Sequence, residues 1–207
     1  MVNLSELEND ALVEIFNIGV GHAAAAMSEI VNEEVTMSVP SITFLNRADA
    51  AALLGSKRDG DRICGVSQHY DGAFATEAIL MFPEDKSLEI VRLMVGDSVP
   101  LQELTEMEQE AMSEIGNIIL NSCVGTLANL FDSELHGSLP VYHVGTSTEI
   151  LAVFGDQDDD VVLMLHIDFV LAKHQIHGYV AFVLDLSALH GLKEQVSRYL
   201  AKVFGPA

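Results

Sequence analysis

The chain has 207 residues and carries 31 Asp and Glu against 10 Lys and Arg, a formal charge of −21 at pH 7. So acidic a chain offers no basic footprint for a nucleic-acid backbone or an anionic membrane surface. Hydrophobic residues make up 49% of it, which excludes a disordered tail and supplies a sizeable core.

The first ten residues, MVNLSELEND, lack the basic and apolar regions of a signal peptide. No uninterrupted apolar run reaches the ~20 residues of a spanning helix. Ser5-Glu6-Leu7-Glu8 reads as a capping box and predicts a helix of about 25 residues, ending ahead of Pro40. Strand-like runs follow at 41–45, 63–69 and 74–82, and a shorter helix at 86–95. The pattern then starts again. Thr105-Glu106-Met107-Glu108 predicts a second capping box and long helix ahead of Pro140. Strands are expected at 141–144, 161–169 and 176–184, and a closing helix at 187–203.

The two series match residue for residue at a constant offset. Glu6/Glu106, Glu8/Glu108, Ala11/Ala111, Glu14/Glu114, Asn17/Asn117, Pro40/Pro140, Phe82/Phe182 and Asp85/Asp185 are among the identical pairs. The expectation is one domain, 1–207, built from two repeats of about 1–100 and 101–207. Its fold class is α+β: a pseudo-two-fold duplicated unit whose mostly antiparallel sheet is covered by long helices.

Within the first long helix, Asp10, Glu14, Asn17 and Gly21 fall in a sector of about 60°. The remaining circumference is largely apolar, which predicts a helix packed on most sides with one narrow polar stripe facing out. Glu110, Glu114, Asn117 and Asn121 occupy the same sector of the second helix. A wet edge on a core helix accounts for Glu. Asn is a mediocre helix-interior residue, and its recurrence three positions after Glu in both halves asks for a further reason.

These residues resemble the CheC/CheX/FliY family of chemotaxis phosphatases. Asp10-x3-Glu14-x2-Asn17-x22-Pro40 matches the family's pattern throughout. Glu114-x2-Asn117-x22-Pro140 matches it too, with Glu110 where Asp or Ser is usual. Phe16 replaces the family's usual small residue, on the opposite side of the helix from the stripe. Two sites without an appended domain resemble CheC most.

The resemblance implies a phosphatase for the aspartyl phosphate of a CheY-like receiver. Asn17 and Asn117 would orient the attacking water, and Glu14 and Glu114 would pair with the receiver's lysine. Asp10 and Glu110 would help dock the partner, and Pro40 and Pro140 would be structural. No cofactor of its own is implied, because the receiver is expected to bring Mg²⁺. The rival is a non-catalytic adaptor that binds the phosphorylated receiver or a CheD-like deamidase.

Other residues carry less. His174-Gln-Ile-His177 has a short metal-ligand spacing, but positions three apart on a strand face opposite sides. Residues 156–160 (DQDDD) read as a solvated hairpin tip, and His22 as an ordinary helix histidine. Cys64 and Cys123 read as small core residues, with a single bridge between them left open. Such sparse cysteine usage suits a reduced, cytoplasmic protein. A metal-dependent hydrolase using the scattered histidines is the third reading.

Overall fold

In the computed structural model, residues 4–55, 62–95, 100–153, 160–171 and 174–205 are described. The first helix, α1 (Glu6–Val31), starts at the expected cap: Ser5 Oγ accepts from the Glu8 N–H, and the Glu8 carboxylate accepts from the Ser5 N–H at 2.8 Å. The second long helix, α4 (Leu101–Leu130), starts earlier than its sequence predicts. Pro100 stands at its N-cap, so Thr105 lies inside the helix and the second capping box does not form. Glu108 instead accepts hydrogen bonds from the Ser87 hydroxyl and, at 3.2 Å, from Tyr142.

The described residues hold seven strands: β1 (Val35–Asn46), β2 (Ile63–Gly72), β3 (Thr76–Pro83), β4 (Leu135–Gly137), β5 (Val141–Gly145), β6 (Val161–Leu171) and β7 (His174–Leu184). Six of them fall on the expected runs, β1 starting six residues before its run, and the short β4 was not expected. The expected closing helices are α3 (Glu84–Val95) and α6 (Leu186–Phe204). The sheet order is β1-β6-β7-β3-β2-β4, with β5 also on β2, and every pairing is antiparallel. The α+β expectation is borne out. Each half's first strand pairs with the other half's hairpin: β1 lies on β6, and β4 and β5 lie on β2.

One face of the sheet carries α1 and α4 over a core that includes Leu12, Phe16, Ile115, Leu165, Val180 and Phe182. Phe16 stacks on Phe182 at 5.3 Å between ring centroids, pointing away from the polar stripe. The two long helices approach so closely that a Cβ on Gly19 would stand 2.9 Å from the Cys123 Cα. By length and composition α1 is apolar enough to cross a membrane, yet its apolar face is spent on this core. Its exposed side is broader than a stripe, since Leu7 and Ile18 are exposed as well.

Two short helices were not expected from the sequence. These are α2 (Arg47–Gly55) and α5 (Ser147–Ala152), the latter with its own capping box from Thr146 to Glu149. They put Ala50, Ile150 and Leu151 on the sheet's other face, over Ile79, Met81, Val162 and Met164. Asp160 was expected at a solvated tip but is buried, paired with Arg47. The rest of that acidic run, 156–159, lies outside the described residues.

The first strand holds the detail that matters most for the site. Its core-facing residues are Val35, Met37 and Val39 before Pro40, then Ile42 and Phe44 after it. That switch of parity needs one extra residue, and the pairing supplies it. Ser38 faces Asp168 and Ser41 faces His166, so three steps on β1 match two on β6. Pro40 therefore sits inside the strand, at a β-bulge, rather than ahead of it. A proline has no N–H to lose there.

Candidate functional site

Glu14 and Glu114 are exposed, as are Asp10 and Glu110, while Asn17 and Asn117 are half-buried. The expectation that all four Glu and Asn side chains face solvent therefore holds only for the carboxylates. The two asparagines also differ from each other.

Asn17 is bound into the fold. The bulge leaves Val39 without a partner on β6, and Val39 is buried. Asn17 Oδ1 accepts from the Val39 N–H at 2.8 Å, and Asn17 Nδ2 donates to the Val39 carbonyl at 3.0 Å. Nδ2 also donates to the Val13 carbonyl at 3.0 Å. One side chain thus replaces a stretch of missing strand, satisfying both backbone groups that burial would otherwise leave orphaned.

Asn117 is held at one end only. Its Oδ1 accepts from Asn121 Nδ2 at 2.7 Å and from Gln68 Nε2 at 3.2 Å. Its Nδ2 makes no hydrogen bond among the described residues. The corresponding bulge lies between β4 and β5, where Gly137 faces Tyr70 and Val141 faces Ser67. Here the residue equivalent to Val39 is Leu139, which is 85% exposed. Gln68 reaches the turn instead, donating to the Ser138 carbonyl at 2.9 Å. With the turn's backbone served by Gln68, the Asn117 amide is spared that duty. Tyr70, buried beneath, shares its one hydroxyl proton between Gln68 Oε1 at 3.0 Å and Asn121 Oδ1 at 3.1 Å, linking both partners of Asn117.

Glu110, Glu114 and Pro140 line one open groove of about 660 Å³ along α4, with Met107 and Ala111 on its wall. The structure thus brings together three of the second half's four motif positions, with Asn117 one turn further along the helix. Gln68, Asn121 and Leu139 were missed as site residues. Asn121 shared the predicted stripe; Gln68 comes from β2 and had no sequence signal.

The other sequence candidates separate. His174 bonds Glu89 at 2.9 Å and His177 bonds Asp168 at 2.6 Å, so the pair does not converge. His22 lies 3.4 Å from the Thr126 hydroxyl. Cys64 and Cys123 are buried free thiols, and burial pushes both up to about 12.

A profile described as the CheC-like family matches residues 7–43, the stretch holding Asp10, Glu14, Asn17 and Pro40. The chain is 26% identical over 140 residues to the CheY-P phosphatase CheC of Bacillus subtilis, a match covering 66% of each protein. It is 25% identical over 163 residues to the flagellar motor switch phosphatase FliY of the same organism, covering 78% of this chain but only 42% of that protein. The fold matches the crystal structure of Thermotoga maritima FliY with a TM-score of 0.76 at 19% identity, over 96% of this chain and all of that one. The resemblance to the CheC/FliY family is borne out.

Proposed function

We propose that the protein hydrolyses the aspartyl phosphate of a phosphorylated CheY-like receiver, and that the second half does the hydrolysis. Support for the class comes from the relatives named CheY-P phosphatase and from the motif in both halves. The observation that carries the choice of half is the Asn117 amide, anchored at Oδ1 and free at Nδ2 beside the exposed Glu114.

Phosphoryl transfer through a loose transition state depends on position and charge more than on a strong base. The free Nδ2–H donates to a water oxygen, leaving that water's other lone pair for the phosphorus. The new P–O bond forms as the bond to the receiver's aspartyl oxygen breaks, releasing phosphate and restoring the carboxylate. The receiver supplies its own Mg²⁺ and lysine, and Glu114 pairs with that lysine. Glu110 helps dock the receiver against the groove. In the first half, Glu14 and Asp10 offer a docking edge, whereas the three hydrogen bonds of Asn17 leave its amide no share in orienting water. A cytoplasmic location follows from this role.

The test is receiver dephosphorylation, followed as phosphate release after acetyl-phosphate loading. The protein should accelerate decay, Asn117→Ala should abolish the acceleration, and a still-folded Asn17→Ala should keep most of it. Decay unchanged by the protein across plausible receivers would leave only the adaptor reading.

A further inference from the structure

On the face of the sheet opposite α1 and α4, α2 and α5 cover one end and leave the other open. There His166 and Asp168 project from β6 on the same side, two residues apart, and His177 lies directly across from Asp168 on β7. One ligand atom from each of the three falls within 4.8 Å of the others. We infer that His166, Asp168 and His177 form a binding site for one divalent transition-metal ion of the zinc class.

The donor set points to that class. Two imidazoles and one carboxylate suit zinc, cobalt, nickel or copper, whereas magnesium and calcium take oxygen. A tetrahedral zinc ion holds its donors about 3.3 Å apart. The distances bracket that value: His177 Nδ1 to Asp168 Oδ1 is 2.6 Å, and His166 Nε2 to Asp168 Oδ1 is 3.9 Å. Entry of the ion replaces the His177–Asp168 hydrogen bond, moving the imidazole proton off Nδ1. All three ligands stand on adjacent strands of the core sheet, so little order has to be bought on binding. Tyr179 lies across from His166 with its ring 5.3 Å away, limiting that imidazole's rotation. His166 and His177 also line a cavity of about 320 Å³, together with Leu53, Leu54, Phe82 and Tyr179. Overall charge of −21 draws cations to the surface.

The equivalent place in the first half shows what an ordinary ion pair looks like here. His69, across from Glu77, spends Nδ1 on Glu77 at 2.5 Å and Nε2 on Asp71 at 3.0 Å. Its two carboxylates lie on opposite ring nitrogens and cannot share one ion with it. In the second half the positions are exchanged, so that two histidines flank one carboxylate.

The experiment is calorimetric titration of the chelator-treated full chain with ZnCl2, in excess Mg²⁺ to occupy surface carboxylates, with Co²⁺ absorption read in parallel. One equivalent should bind, and Co²⁺ should give the visible bands of a nitrogen-containing site. His166→Gln and His177→Gln should each weaken binding at least about tenfold. His174→Gln, three residues away and bonded to Glu89, should not. Should either histidine variant fold poorly by circular dichroism, Asp168→Asn carries the same expectation. Absence of saturable binding overturns the inference, as does zinc held equally well by the folded variants, which would assign the ion to surface carboxylates.

Discussion

Replacing each motif asparagine in turn separates architecture from chemistry. Asn17→Ala removes an amide that satisfies the Val39 N–H and C=O, and Val39 is buried. A buried backbone group left without a partner costs about 1–3 kcal/mol. Two such groups, partly rescued by water through the half-open helix edge, give an expected loss of about 2–4 kcal/mol. For a chain of this length that corresponds to a fall in Tm of about 5–15 °C. Asn117→Ala removes only contacts to Gln68 and Asn121, whose amides stay tied to Ser138 and Tyr70. Its cost should stay below about 1 kcal/mol. Urea melts followed by far-ultraviolet circular dichroism measure both. Equal destabilisation by the two substitutions, or none from Asn17→Ala, would refute the assignment of Asn17 to the bulge. Such a result would restore a symmetric pair of sites.

Three further outcomes are expected. Leu139→Ser, at an 85% exposed apolar side chain beside the second-half motif, should raise the KM for phosphorylated receiver with little change in Tm; an unchanged KM would place the docking contact elsewhere. Cys64 and Cys123, buried and pushed up to about 12, should resist a maleimide in the native protein and react fully in urea, as mass spectrometry would show. Partial burial lowers the His69 imidazole, but hydrogen bonds and charge from Glu77 and Asp71 outweigh it and hold it above its ordinary value. The raised folded value means this group's stabilising effect is complete below about pH 6.5 and lost as pH rises through the folded value; solvent screening keeps it small. An NMR titration should find the His69 midpoint above that of free histidine, and Glu77→Gln should lower it.

Much of this architecture is legible along the chain because it is set by local pattern. The Ser5 cap, the apolar face of α1 and the hairpins β2–β3 and β6–β7 depend on residues close in sequence. The second capping box misled for a local reason too: Pro100 opens α4 before Thr105 is reached. Short helices α2 and α5 escaped notice because a run such as RADAAALLG has too few turns to show a helical period. The state of each asparagine could not be read at all. It depends on the register of β1 against β6, and on whether residue 39 or its counterpart 139 turns inward. The same limit hid the histidine cluster. Sequence spacing drew attention to His174 and His177, whereas the convergent pair is His166 and His177, joined only by the β6–β7 register.

The spacing of the motif itself has a structural cause in the first half. From Asn17 the chain finishes its helix, turns, and returns along β1 to the bulge at Val39 and Pro40, where the amide meets the strand. Asn and Pro at a fixed separation are therefore what a helix needs to be pinned to a bulged strand. A water-positioning amide at the same spacing requires something more, namely a way to release the side chain from that pin. The second half has it in Gln68 and the outward turn of Leu139. Both halves carry Glu-x2-Asn-x22-Pro, so the motif alone does not distinguish an amide pinned to the bulge from one left free of it; the residue that serves the bulge does.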